Sequence, residues 1–337
     1  MAKSARGVWE RAIPYLLIAP SLVVFLTFFI YPILYSIYLS FMKWNLISPT
    51  KTFVGLDNYR ELLLSEEFHM AFKNTLIYTV GTVSIALTIA LLLALLLNTQ
   101  KRWAAWVQAA MFSPHIISLV SVSILWLWLM DPDFGLLNWV LGNFGVPPLK
   151  WISSDKTALA SLILVAVWKV VGYDMVVFLA GLQSIPPEMY EAAKIDGAGW
   201  WRQLGSITLP LVKPTLLVAV LFRMLDALRM FDLPFVLIGP GKESVETLSM
   251  LAWDESNQLR YGSASAFAVV LFLYVAVVAV VFVKVLGADV TGAKELKLSD
   301  LKKETDVACL YHCDFGDPKR FDAMLRNMNN HLEVYGF

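Results

Sequence analysis

Long uncharged apolar runs, separated by short polar segments, set the pattern of this chain. From Ala12 to Met42 no residue carries a formal charge, and the same holds for Asn74–Gln100, Trp103–Met130 and Tyr261–Val283. An α-helix needs about 20 apolar residues to cross ~30 Å of hydrocarbon, so each run is long enough to span a membrane. Two further runs are equally apolar but carry charges. Thr157–Leu182 contains Lys169 and Asp174, and Thr215–Ile238 contains Arg223, Asp226, Arg229 and Asp232. The pattern predicts an all-α polytopic membrane protein with six transmembrane helices. The first run is far longer than the roughly 7–15 apolar residues of a cleaved leader, so it reads as a retained span.

The polar segments are also informative. "FVGLDNYRELL" (Phe53–Leu63) reads as a turn followed by a short amphipathic helix, and "MDPDFGLLNWVLGNFGVPPLKW" (Met130–Trp151) is rich in turn residues and aromatics. Trp126, Trp128, Trp139 and Trp151 are expected to form an interfacial aromatic belt. Between the fourth and fifth spans lies "EAAKIDGAGWWRQLGSITLP" (Glu191–Pro210), a polar island of a size seen almost nowhere else before the C-terminal tail. Pro186 and Pro187 suit a helix start, with acidic Glu188 in the first turn. Gly197 and Gly199 permit a sharp turn. A second short helix is expected from Trp200 to Leu209, ended by Pro210, with Pro214 leading into the fifth span. Such an exposed hairpin serves either as a partner surface or as an amphipathic element on lipid headgroups.

Orientation follows from Lys and Arg near the span ends. Segments 1–12, 99–104 and 183–213 hold eight (Lys3, Arg6, Arg11, Lys101, Arg102, Lys194, Arg202, Lys213). Segments 43–70, 131–156 and 239–260, longer in total, hold seven. The bias predicts cytoplasmic N- and C-termini and a cytoplasmic island. Residues 1–12 are then a cytoplasmic N-terminus, 13–287 the six-span domain, with its polar loop at 184–213, and 288–337 a polar cytoplasmic tail.

Composition narrows the function classes. The chain of 337 residues is 58% hydrophobic and 16% charged, with zero net charge and a mean hydropathy of +0.63. Soluble domains are roughly half apolar and about a quarter charged. Neither net charge nor a basic aromatic patch suggests nucleic acid. No Ser–His–Asp or paired-carboxylate arrangement argues for catalysis. Cys309, His312, Cys313 and His331 are a poor match to structural zinc spacing and read as part of a solvated tail. His115, beside Pro114, reads as a helix-packing histidine.

The island carries a specific spacing: Glu191-Ala192-Ala193, three residues, Gly197, nine residues, Ile207, one residue, Leu209-Pro210. It resembles the EAA signature of permease subunits of binding-protein-dependent ABC importers. "PYLLIAPSLVVFLTFFIYPILYSIYLSF", "FVGLDNY" and "AGLQSIPPEMYEAAKIDGA" resemble the carbohydrate-type branch that includes maltose, trehalose and glycerol-phosphate permeases. The resemblance covers about residues 12 to 287 and implies the type I permease fold. It also implies that the island couples to a separate ATPase subunit through Glu191, Ala192, Ala193, Asp196, Gly197, Ile207, Leu209 and Pro210. The chain has no G-x-x-x-x-G-K-[ST] loop; "GPGKES" (Gly239–Ser244) lacks the upstream glycine. ATP and Mg²⁺ are therefore expected in a partner ATPase dimer and no cofactor here. The other implied partners are a second homologous permease, an extracytoplasmic solute-binding protein, the bilayer of a prokaryotic inner membrane, and a sugar-class solute.

Charges inside the bilayer cost about 3 kcal/mol each on insertion scales and normally pair or line a wet cavity. Arg223, Asp226, Arg229 and Asp232 recur every third residue with alternating sign. Depth counting at ~1.5 Å per residue sets Lys169 level with Asp226, which suggests a Lys169–Asp226 pair, with Asp174–Arg223 a second, looser one. These pairs serve either to hold the bundle together or, with Tyr173, Phe222 and Phe231, to line a path for a hydroxylated solute. An ion-coupled secondary transporter using the same charges is the alternative reading.

Overall fold

The computed structural model describes residues 15–45, 47–99 and 101–291. The segment 1–12 and nearly all of the tail 288–337, including Cys309, His312, Cys313 and His331, lie outside the described residues.

Helix α1 (Tyr15–Ser40) is wholly exposed across its apolar window, as a lipid-facing span should be. A two-residue hairpin, β1 (Met42–Lys43) against β2 (Thr52–Phe53), follows with antiparallel pairing Met42↔Phe53. Gly55, at φ +59°, turns the chain into α2 (Asp57–Leu64), as the pattern predicts. Asn58 ties this region together: its Nδ2 donates to the carbonyls of Ser40 (2.8 Å) and Met42 (3.0 Å).

Helix α3 (Glu66–Leu97) opens on a Ser65 cap whose Oγ accepts from Phe68 N at 3.2 Å, with Glu66 and Glu67 in the first turn. Its buried face carries Ala86, Ala90 and Ala94. Small residues four apart let two membrane helices approach closely, and the partner is α7 (Asp155–Gln183), the most buried span at 56% of its apolar window.

The third span is not one rod. It divides into α4 (Arg102–Ile116) and α5 (Leu119–Leu129), bent by 101°. Pro114 removes one backbone donor, freeing the carbonyl of Ala110, which Ser113 Oγ takes up at 2.8 Å. Ser118 then caps α5 by accepting from Ser121 N at 3.2 Å. Helix α6 (Leu136–Gly142) lies in the loop before α7.

After α8 (Pro187–Ile195) the helix α9 runs unbroken from Trp200 to Leu228. Pro210 therefore does not end a short helix. A π-turn at Leu204–Thr208 precedes it, and the widened ring absorbs the backbone disruption that a proline brings. At its other end α9 stops at Leu228, short of the expected Ile238. Short α10 (Asp232–Leu237), α11 (Leu248–Asn257) and the last span α12 (Tyr261–Thr291) complete the chain.

Among the described residues three apolar cores form. One, towards the elbow between α8 and α9, is built on Met175, Phe178 and Val212. A second centres on Tyr78, Met130, Leu162 and Leu233, and the third on Leu62, Phe68, Leu251 and Phe267. The expected aromatic belt is only half present. Trp128 and Trp139 are exposed, but Trp126 is buried edge-to-face on Trp168 at 5.4 Å, and Trp151 donates its indole N–H to Asn138 Oδ1 at 2.9 Å.

Candidate functional site: an exposed elbow and an intramembrane charge chain

The polar island folds as a closed elbow. Helix α8 ends in a Schellman motif: Ala198 N donates to Ala193 O at 2.8 Å and Gly197 N to Lys194 O at 3.0 Å. Gly197 sits at φ +73°, a left-handed conformation that costs other residues roughly 1–2 kcal/mol. Gln203 Nε2 reaches back to Ala198 O at 2.7 Å, and Tyr190 OH lies 3.0 Å from Thr208 Oγ1, fastening the two helices.

Glu191, Ala192, Asp196, Leu209 and Pro210 are exposed, with Ala193 partly so. Ile195 (87%), Trp200 and Trp201 (79%) form an apolar rim beside them. Glu191 has no hydrogen-bond or ion-pair partner among the described residues. Ile207 differs from the rest: it packs into the elbow-end core, so it anchors the hairpin instead of presenting a contact.

The membrane charges form a chain, though not the one that depth alone suggests. Arg223 Nη2 donates to Asp174 Oδ1 at 2.8 Å, with both side chains almost fully buried (7% and 2% exposed). Arg223 also lies 3.7 Å from Asp226, and Arg229 Nη2 reaches Asp226 Oδ1 at 2.8 Å. The Arg223 guanidinium sits 5.6 Å from the centre of the Tyr173 ring, and that ring stacks on His115 at 4.6 Å.

Lys169 does not meet Asp226. Its Nζ donates instead to the carbonyls of Ile117 (2.6 Å), Pro114 (3.1 Å) and His115 (3.4 Å) at the break in the third span. Equal depth does not fix the direction around a helix. Lys169 and Gly172, three apart, share the α7 face that packs on α4. At about 100° per residue, Asp174 lies roughly 140° from Lys169 and faces α9.

On α9 an exposed stripe runs through Leu211, Pro214, Val218, Phe222, Asp226 and Arg229, while Val212, Ala219, Arg223 and Ala227 are buried behind it. Phe231 leaves this stripe: it stacks on Phe235 at 4.9 Å and meets Trp253 at 6.1 Å. Asp232 is exposed at the start of α10. A buried polar face on α3, comprising Asn74, Thr75, Tyr78, Thr79 and Thr82, also belongs to this region. Its helical spacing within an otherwise apolar run is the signal that marks it in sequence. The hydroxyls of Tyr78, Thr79 and Thr82, Asp174 Oδ2 and Arg223 Nε have no hydrogen-bond partner among the described residues.

Among the described residues, five long apolar helices plus one bent pair, with an exposed elbow, have the architecture of a polytopic membrane protein. Over residues 86–291 the chain matches the family described as binding-protein-dependent transport system inner membrane component, and it belongs to that family. It is 35% identical to the trehalose/maltose transport system permease protein MalF of Thermococcus litoralis, over 82% of this chain and 94% of the relative. It is 34% identical to the trehalose transport system permease protein SugA of Mycobacterium tuberculosis, over 85% and 92%. Among solved structures, one chain of a bacterial ABC transporter involved in import of the acidic polysaccharide alginate superposes with TM-score 0.73 at 27% identity, over 87% of this chain and all of that one. A related alginate transporter, in complex with a pentasaccharide-bound periplasmic protein, gives 0.72 at 28% identity. The chain is thus a multi-pass permease subunit of an ABC importer, and the ion-coupled alternative finds no support.

Proposed function

We propose that this subunit forms half of the membrane path for a neutral sugar or small oligosaccharide. The solute is delivered by an extracytoplasmic binding protein, and the path is opened and closed by a separate ATPase dimer acting through the elbow. The observation that carries the reading is the elbow. A left-handed glycine folds the short α8 against the start of the long α9, giving an exposed ridge whose Glu191 carboxylate has no partner within the described chain. Such a ridge has the form of a plug for a groove on another protein. The relatives named for trehalose and maltose support a sugar cargo.

The path is assigned to Tyr173, Phe222, Asp226 and Arg229, backed by the buried Asp174–Arg223 pair. Asp226 and Arg229 are half or more exposed on a membrane helix; facing lipid would be costly, so they face water or the second, homologous permease. Aromatic faces beside hydrogen-bonding charges suit a pyranose ring. The elbow lies in the cytoplasm with both termini, in a prokaryotic inner membrane, consistent with the Lys/Arg bias. ATP and Mg²⁺ bind in the ATPase dimer, and this chain contributes alternating access and no catalysis.

The test is uptake of labelled trehalose and maltose into proteoliposomes carrying the complete importer, alongside binding-protein-stimulated ATP hydrolysis. Glu191→Arg is expected to abolish both while the subunits still reach the membrane. Stimulated hydrolysis at the wild-type rate in that variant would refute the coupling role. Binding-protein ligands that are all non-carbohydrate would refute the cargo.

A further inference from the structure

The geometry points to a monovalent-cation site at the break in the third span, built from the backbone carbonyls of Pro114, His115 and Ile117 and filled by the ammonium group of Lys169. A helix that stops inside the bilayer leaves its last carbonyls without donors, and in hydrocarbon each such group is expensive to leave unsatisfied. Helix α4 stops at Ile116, and Ile117 takes an extended ψ of 140°. Three carbonyls there converge on Lys169 Nζ at 2.6, 3.1 and 3.4 Å. The negative end of the α4 dipole adds to the attraction for a cation.

The placement is built, not incidental. Lys169 is the middle residue of α7, whose bounds are Asp155 and Gln183, so it lies roughly 21 Å from either end by helical rise. One turn further on, Gly172 lets the two backbones touch, since a Cβ there would fall 1.8 Å from Met111 O. That approach brings the end of α4 within reach of the Lys169 stem. The bend also positions His115, whose ring stacks on Tyr173 at 4.6 Å, and so fixes one wall of the charge chain. Unwound carbonyls at broken membrane helices hold free Na⁺ in some secondary transporters; here the cation is tethered. Lys169 is thus a positioning residue that holds the span broken, and its effect on transport rests on the function proposed above.

Chemical rescue tests this in the complete importer. With Cys309 and Cys313 changed to serine, spin labels at Trp106→Cys and Leu127→Cys report the bend, and sugar uptake is measured in parallel. Lys169→Ala and Lys169→Met should lengthen and broaden the label distance and lower uptake about tenfold or more, the scale of losing charge-assisted hydrogen bonds. Lys169→Arg should keep the wild-type distance. Propylammonium, which replaces the atoms that alanine lacks, should restore both readouts in Lys169→Ala, while 1-propanol should not.

A wild-type distance in Lys169→Met, or equal rescue by propanol, would overturn the cation site in favour of simple space filling. The label distance is read without cargo or nucleotide, so an importer that carries another solute would leave this result standing.

Discussion

Truncating the buried Arg223–Asp174 pair should be asymmetric. In Arg223→Met the Asp174 carboxylate, with its side chain 2% exposed, loses its sole ion-pair partner among the described residues. Breaking a buried pair from one side typically costs about 3–5 kcal/mol because the other charge is left uncompensated. In Asp174→Asn the guanidinium keeps Asp226 at 3.7 Å and the Tyr173 ring at 5.6 Å, and the amide oxygen still accepts from Nη2. That loss should fall to about 1–2 kcal/mol, the scale of exchanging a charge-assisted bond for a neutral one. The double variant Asp174→Leu with Arg223→Met buries no charge, so it should recover most of what Arg223→Met loses.

The assay is urea or thermal unfolding of the complex in nanodiscs, run as a double-mutant cycle closed by Asp174→Leu alone, with sugar uptake measured in parallel. The cycle should return a coupling of about 2 kcal/mol or more, at the upper part of the range for residues in one network. Coupling below about 0.5 kcal/mol, the error of additivity, would refute the assignment of the pair as a unit. If the double variant recovers stability but not uptake, the pair serves the path as well as the bundle.

Gly172→Ala should lower the yield of folded protein sharply, because the added methyl meets the Met111 backbone, whereas Gly205→Ala meets nothing within 4 Å and should be silent in the same thermal assay. Gly197→Val should halve or further reduce stimulated ATP hydrolysis while leaving uptake-independent folding intact, since the site is open and only the positive φ is strained. Between α10 and the end of α11, burial first, and then nearby acids, push the carboxyls of Glu246 and Glu255 up; Arg260 and a Ser263 hydrogen bond partly offset this for Glu255. A raised acid binds its proton more tightly when folded. The segment 243–257 is therefore expected to be more stable near pH 5 than near pH 8, read as slower amide exchange after correction for intrinsic rates, and Glu246→Gln should flatten the trend.

Hydrophobic run length was enough to mark the apolar runs, because a spanning helix needs some 20 apolar residues whatever its neighbours do. It set the fifth span too far along, since the helix begins in the polar elbow at Trp200 and stops at Leu228. The turn of the elbow was equally legible, since Gly197 takes its left-handed position without the strain a Cβ would bring. Its second arm was not, because a π-turn carries the helix past Pro210. The break in the third span was harder to see. Its residues are as apolar as any rod, and the signals are small: Pro114, then Ser118 acting as an N-cap. Lys169 was misassigned because charge and depth are written in the sequence, while the direction of a side chain around its helix depends on which neighbour packs there. Gly172 held that clue, since a glycine in mid-span marks the face where another backbone comes close.

The π-turn at Leu204–Thr208 has a mechanical meaning. Because it lets the chain pass Pro210 without stopping, the twenty-nine residues from Trp200 to Leu228 make one continuous arm, about 43 Å long by helical rise. A tilt of about 5° at the elbow end then swings the far tip by about 4 Å over that length, more than the width of a water molecule. Arg223 and Asp226 ride on that arm, so under the proposed coupling a movement of the elbow reaches them along a single helix.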